Sequence, residues 1–240
     1  MTDHLLIAHG SPDPRHAVTM KRLVEEIGSR NVRCAVAYLE HNAPTVEEWL
    51  TLRANSQTAD DSIAVTGLLL APGYHAQVDV PRLLANVAPS LLIHDRGPLG
   101  VGPWLHPTLD NLVARSGGTP SSPVIVTTAG SSRDDARAYL AEFVKQWGST
   151  RPGTTTFAVA TGPGPAVDVA IAAEHPVDDA AIVVLMMIAP GVLADRVIDL
   201  AAGAGVKVTG TLADSPAFVD ALVGRLDLSR PTRDSHTPTE

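Results

Sequence analysis

The sequence predicts an α/β protein built as two similar domains, each a four-stranded parallel sheet with helices on both faces. Three observations carry that expectation. Short apolar runs alternate with amphipathic stretches along almost all of the 240 residues, the pattern of repeated βα units. The runs divide evenly about Ser116-Gly117-Gly118-Thr119-Pro120-Ser121-Ser122-Pro123, a turn-rich segment that reads as a linker. The residues that close two strands of the first half then recur, in order, in the second half.

In the first half the expected strands are His4–Ala8, Val32–Leu39, Ser62–Leu70 and Ser90–His94. Each is a continuous apolar run, as expected for a strand covered on both faces. The intervening helices are Ala17–Ser29, Val46–Ser56, Asp79–Val87 and Trp104–Arg115. The second half repeats the order with strands Val124–Thr128, Thr155–Ala160, Ala180–Met187 and Val206–Thr209. Its helices are Asp134–Trp147, Ala166–Glu174, Leu193–Ala202 and Pro216–Leu226. The domains are therefore expected at residues 1–115 and 124–228, with residues 116–123 between them. A polar, charged tail from Ser229 to Glu240 is expected to be disordered.

The halves overlay at their strand ends. Val126-Thr127-Thr128-Ala129-Gly130-Ser131 lies on Leu6-Ile7-Ala8-His9-Gly10-Ser11, with Ala129 in place of His9. Ala189-Pro190-Gly191 lies on Ala71-Pro72-Gly73, and Leu193 stands where His75 stands. Duplication followed by loss of the polar groups from one copy accounts for both substitutions.

Composition narrows the function. The formal net charge is −8 and no basic tract is present, which argues against nucleic-acid binding. The single cysteine, Cys34, rules out an intramolecular disulfide and a cysteine-ligated cluster within one chain. It is expected to be a small buried hydrophobe. No apolar run reaches membrane-spanning length. The chain enters a strand almost at once, without a basic and apolar leader, so a cytoplasmic location and no membrane partner are expected. There is no Walker loop, Gly-x-Gly-x-x-Gly turn or Gly-x-Ser-x-Gly elbow.

Chemistry gathers at strand ends, where open parallel sheets bind ligands. His9 ends the first strand, and Gly10 permits a sharp turn after it. Ser11, Arg15 and the amides opening the next helix are candidate anion donors. His75 follows the third strand after the break at Pro72-Gly73, with Tyr74 placed to cover a flat ligand. Asp79 reads as the cap of the following helix, with Pro81 in its first turn. Glu40 ends the second strand. In a flavodoxin-like strand order of 2-1-3-4, the ends bearing Glu40, His9 and His75 are neighbours, and adjacent strands lie about 4.8 Å apart. Two imidazoles and a carboxylate would suit a divalent first-row ion. His41 is a candidate supporting donor. His4, His16, His94, His106, His175 and His236 carry little signal.

These residues resemble the sirohydrochlorin chelatases, the class II enzymes that insert iron or cobalt into a modified tetrapyrrole. The resemblance rests on Leu6-Ile7-Ala8-His9-Gly10-Ser11-Pro12-Asp13-Pro14-Arg15 and on Leu70-Ala71-Pro72-Gly73-Tyr74-His75-Ala76-Gln77-Val78-Asp79-Val80-Pro81. Leu39-Glu40 with Pro44, and Gly97-Pro98-Leu99-Gly100, add to it. It covers most of residues 3–115 and, more faintly, the second half. It implies two flavodoxin-like, chelatase-like domains facing across a cleft, with His9, His75 and Glu40 as catalytic and metal-holding groups. Gly10, Ser11, Arg15, Gly73, Tyr74 and Arg82 are the candidates for binding the carboxylate-rich macrocycle. The expected reaction is insertion of Fe2+ into sirohydrochlorin to give siroheme. Cobalt insertion for cobalamin synthesis and a non-catalytic metal or tetrapyrrole carrier are the alternatives. No permanent cofactor is expected, because the divalent metal is a substrate. A two-copy chain can form its cleft alone, so a monomer is expected.

Overall fold

The computed structural model describes residues 3–56, 62–86, 91–174 and 181–228. The expected tail, His175 and His236 lie outside them. The first half runs β1 (Asp3–Ala8), α1 (Pro14–Gly28), β2 (Cys34–Tyr38), α2 (Val46–Asn55), β3 (Ser62–Gly67), α3 (Val80–Ala85), β4 (Leu92–Pro98) and α4 (His106–Arg115). The second runs β5 (Val124–Thr128), α5 (Asp134–Gly148), β6 (Thr155–Val159), α6 (Val167–Glu174), β7 (Ile182–Leu185), α7 (Val192–Gly203), β8 (Lys207–Val208) and α8 (Pro216–Leu228). The sheets have the orders β2-β1-β3-β4 and β6-β5-β7-β8, and every pairing is parallel. This is the architecture the sequence predicts.

The alternation of side chains along a strand decides which core each residue enters. Leu6 and Ala8 of β1, Val124 and Val126 of β5, and Ile182 and Val184 of β7 all enter one cluster. That cluster also takes Leu23 of α1, Leu109 of α4, Trp147 of α5 and Phe218 of α8. The intervening residues Leu5 and Ile7 face α2 and α3 in a second cluster. Ile125 and Val183 face α6 and α7 in a third. The inner helices of both halves thus share one core between the two sheets. That shared core fixes the halves against each other more firmly than two domains merely facing across a cleft would be.

Polar ties add registration. Three arginines of α1 and its end reach the other half: Arg15 to Asp195, Arg22 to Asp214 at 2.9 Å and Arg30 to Asp220 at 2.7 Å. Tyr139 Oη accepts from Val101 N at 3.0 Å and donates to Val101 O at 2.9 Å.

The likeness of the two halves extends to the hydrogen-bond skeleton. Tyr38 N donates to Pro44 O at 3.0 Å, and Val159 N donates to Pro165 O at 2.9 Å. Leu68 N donates to Ile7 O, and Met186 N donates to Thr127 O, at 2.7 and 2.9 Å. Matching bridges join Tyr38 to Thr45 and Val159 to Ala166.

Two local expectations change. β4 continues to Pro98, so His94 lies within the strand and not at its end. A bulge at this point lets the ladder continue: Gly97 takes φ +70°, and its N–H donates to Asp95 Oδ1 at 2.8 Å. Cys34 is only partly buried, yet its surroundings push its thiol up to about 11, which keeps it unreactive.

Candidate functional site

His9 continues from the carboxyl end of β1, beside the chain leaving β2. Its carbonyl accepts from Glu40 N at 2.9 Å. Gly10 takes φ +93°, and a side chain there has no room: a Cβ would lie 1.8 Å from Glu40 O. Ser11 N then donates to Asn42 Oδ1 at 2.8 Å, and Ser11 Oγ accepts from Asp13 N at 3.1 Å. Asp13 caps α1 by accepting from Arg15 N at 2.9 Å. His16 N bonds Asp13 O at 3.1 Å. With Pro14 lacking an N–H, the amides that open α1 are occupied and do not form the free anion cradle that the sequence suggested.

His75 stands at the start of a single π-helical turn, His75–Asp79, leading into α3. Proline at position 81 explains the wide turn. It cannot donate to the preceding turn and its ring crowds that turn's carbonyl, so Val80 N reaches back to His75 O. Asp79 consequently has helical dihedrals and makes no capping hydrogen bond. Its carboxylate Oδ2 accepts from His75 Nδ1 at 2.6 Å. The capping role expected for Asp79 is therefore replaced by an orienting contact to the histidine four residues earlier.

The two imidazoles meet as predicted. His9 Nε2 and His75 Nε2 are 3.1 Å apart, with the rings nearly perpendicular at 82°. Each ring is polarised from behind. His9 Nδ1 lies 3.0 Å from Gly10 O, and both that carbonyl and the Asp79 carboxylate can only accept. The N–H of each neutral ring is thereby held on Nδ1. Both Nε2 atoms are then lone-pair sites aimed at one spot, an arrangement that calls for a proton or a cation between them.

Glu40 does not complete a triad. Its carboxylate lies 3.5 Å from His41 Nε2 and lines a neighbouring cavity of about 360 Å³ with Glu47, Asp79 and Arg82. His75 lines both that cavity and a larger one, of about 560 Å³, that also holds His9. Among the described residues, no three His, Cys, Asp or Glu side chains form a group able to hold an ion. The close passage of Gly10 over the Glu40 carbonyl brings the backbone of Glu40 to His9, but its side chain departs toward α2 and α3.

This cavity of about 560 Å³ lies between the halves. His9, Gly10 and Ser11 form part of one wall, and Ala129, Met187 and Leu193 part of the other. The second half thus presents apolar side chains at the positions that lack histidine. Arg15 is held by Asp13 and Asp195. Arg82 belongs to the neighbouring cavity. Gly73 and Tyr74 lie outside the lining, and the Tyr74 ring is 6.2 Å from that of His75. His16, little valued in the sequence, lines the cavity, as do His41, Met20 and Met186. A lone histidine at a helix start carries no pattern that reveals this.

Fold and site together define a two-domain α/β protein of the chelatase-like class, with an imidazole pair over its first sheet. Residues 3–116 match the model of the CbiX family. A sirohydrochlorin cobaltochelatase of Methanococcus maripaludis is 30% identical over 82 residues, which is 33% of this chain and 56% of that one. The matched stretch therefore spans little more than half of that relative. SirB from Bacillus subtilis with Fe3+ superposes with a TM-score of 0.77 at 21% identity, covering 95% of each chain. The sirohydrochlorin chelatase SirB of Bacillus subtilis subspecies spizizenii, in complex with cobalt, gives 0.71 at 19%, covering 95% and 94%. At these identities the structural likeness establishes the fold. Among the described residues no helix is long and apolar enough to cross a membrane.

Proposed function

We propose that this protein is a sirohydrochlorin chelatase that exchanges two pyrrole protons of the macrocycle for one divalent ion, iron in the first instance, to give siroheme. The observation that carries the reading is the opposed pair of Nε2 lone pairs, 3.1 Å apart at the wall of the inter-domain cavity. An ion about 2.1 Å from each nitrogen would subtend about 95° at that separation, a cis arrangement that leaves its other positions open. Open positions are what delivery to a ring requires.

The macrocycle lies in the cavity with one face toward His9 and His75 and the other against Met187 and Leu193. Imidazole titrates near neutrality, at about 6.5 in the absence of neighbours. Once the ion has left, the facing Nε2 atoms can take one of the two displaced protons between them, and the other passes to water. Charge and atoms balance without electron transfer, so neither a redox cofactor nor a nucleotide is needed. Asp79 keeps the His75 Nδ1–H in place, which leaves Nε2 available. Glu40 lies beside the pair and does not act as a third ligand in this arrangement. Ser11 and Arg15 are placed to meet substrate carboxylates, Arg15 only after release from Asp195.

Cobalt is the second reading. It is favoured by the cobaltochelatase similarity and by the cobalt complex of SirB, and imidazole sites take several first-row ions. The test is to mix purified protein with sirohydrochlorin and Fe2+ or Co2+ and follow the visible spectrum through many turnovers. His9→Ala and His75→Ala should each abolish most of the rate, whereas Ala129→Leu should matter less. Stoichiometric binding without turnover would support a carrier. Wild-type rates in both histidine variants would refute the site.

A further inference from the structure

The cavity presents a charge problem. Its lining contains four histidines and no lysine, arginine, aspartate or glutamate among the described residues. The amides at the start of α1 are occupied by Asp13, and Arg15 by Asp13 and Asp195. Ser11 N is held by Asn42. His9 and His75 are directed at each other. A carboxylate entering this space therefore has few donors left to meet.

His16 is one of them. It lies in the first turn of α1, with its ring 6.1 Å from that of Tyr38 and tilted by 59°. Its Nδ1 is sealed from solvent and has no hydrogen-bond partner. Burial, and next the charge of His9, lower its pKa below the ordinary histidine value, so the ring is neutral near pH 7. A neutral imidazole carries one N–H. Sequestering an unpaired N–H is disfavoured relative to sequestering a lone pair, so the proton belongs on Nε2. Nε2 is then the polar atom that the ring offers to the cavity.

We infer that His16 is a substrate-positioning residue that donates from Nε2 to a carboxylate of the bound macrocycle. The inference rests on the proposed function and extends it. The ligand is anchored at the mouth of α1 by a neutral donor, so its carboxylate is recognised without a cation that would repel the incoming metal. His16 neither holds the metal nor takes its protons.

The test measures three quantities in wild type, His16→Leu and His16→Gln. The first is the affinity for metal-free sirohydrochlorin, the second is binding of Co2+ alone, and the third is steady-state kinetics. The leucine variant should bind sirohydrochlorin about tenfold more weakly, the cost of one hydrogen bond to a charged group. Its KM should rise with kcat nearly unchanged, and its Co2+ binding should match wild type. Glutamine, which places an amide donor near the position of Nε2, should restore most of the affinity. Unchanged affinity in the leucine variant, a glutamine variant as weak as leucine, or loss of Co2+ binding would each overturn the assignment. Failure of the wild type to bind sirohydrochlorin would instead refute the proposed function, and this assignment with it.

Discussion

Replacing Gly10 by alanine tests whether the turn after β1 is what places the histidine pair. Two penalties apply. The first is dihedral: φ of +93° is a region that L side chains avoid, at about 1–2 kcal/mol. The second is steric. The new Cβ would lie 1.8 Å from Glu40 O and 2.9 Å from Glu40 C, both backbone atoms, so the two chains must separate by more than about 1 Å to restore normal contact. That separation strains the bonds from Glu40 N to His9 O and from Ser11 N to Asn42 Oδ1, at 2.9 and 2.8 Å, each worth about 1 kcal/mol. Together these effects amount to at least about 3 kcal/mol. Gly97→Ala supplies the control, because its φ is +70° but a Cβ there meets nothing within 4 Å; its cost should stay at the dihedral penalty of about 1–2 kcal/mol. Gly130→Ala, whose Cβ would lie 2.0 Å from Thr161 O, should destabilise as much as Gly10→Ala while leaving the histidines in place. Urea unfolding followed by tryptophan fluorescence measures all three variants, and metal insertion by the folded fraction separates Gly10 from Gly130. A Gly10→Ala protein no less stable than Gly97→Ala would refute the steric argument.

Asp79→Ala removes the acceptor that orients His75. Co2+ affinity and insertion rate should fall about 10–100-fold, the usual cost of losing such a support, and Asp79→Asn should fall less because its amide oxygen can still accept. Equal, wild-type Co2+ binding in both would show that the contact is incidental. Asp195→Asn breaks an exposed pair with Arg15, so stability should barely change. The freed guanidinium should tighten sirohydrochlorin binding; a weaker complex would show that the contact to Asp195 organises the site. Burial pushes the Asp214 carboxyl up, but hydrogen bonds from Arg22 and Thr211 outweigh it and leave the group below its ordinary 3.8. The sign follows from a depressed folded value: the stabilisation is complete above about pH 4 and is lost as pH falls through the lower folded value. The stability gap between wild type and Asp214→Asn should therefore be flat from pH 7 to 5 and narrow only below about pH 4. Urea midpoints across that range decide it, and narrowing already between pH 7 and 5 would contradict the assignment.

What was legible in the sequence is what local pattern controls. Continuous apolar runs such as Leu5–Ala8 mark strands buried on both faces, and the βα rhythm marks parallel sheets, for which the flavodoxin-like order 2-1-3-4 is one arrangement. His9 and His75 stand out because each ends such a run beside a chain-breaking glycine. Asp79 was misread because Asp followed by Pro81 resembles a helix start. The same proline instead widened a helix already begun at Tyr74, turning the carboxylate back to His75. Arg15 looked free because its second partner, Asp195, is 180 residues away. The shared core was invisible for a similar reason. The apolar faces of α1, α4, α5 and α8 have the periodicity of any sheet-covering helix, and nothing local says that they cover each other.

The retained skeleton of the second half explains how its chemistry could be lost without cost to the fold. Gly130 still turns at φ +101° against the chain leaving β6, and the ladder bonds of Met186 and Ala160 match those of Leu68 and Leu39. These contacts use backbone atoms, so they constrain glycine and strand geometry but not the identity of the residue before the glycine. Alanine at position 129 is therefore compatible with the same turn. A second polar pair across the same cavity would have competed for the ion and wetted the face on which a flat macrocycle must lie. Under the proposed function, apolar side chains there would keep the ion at the His9 and His75 side of the cavity and give insertion one direction. On this argument Ala129→His with Leu193→His should fold normally, bind additional Co2+ and insert metal more slowly. Faster insertion by that double variant would mean that the second half lost its histidines by drift and contributes nothing by lacking them.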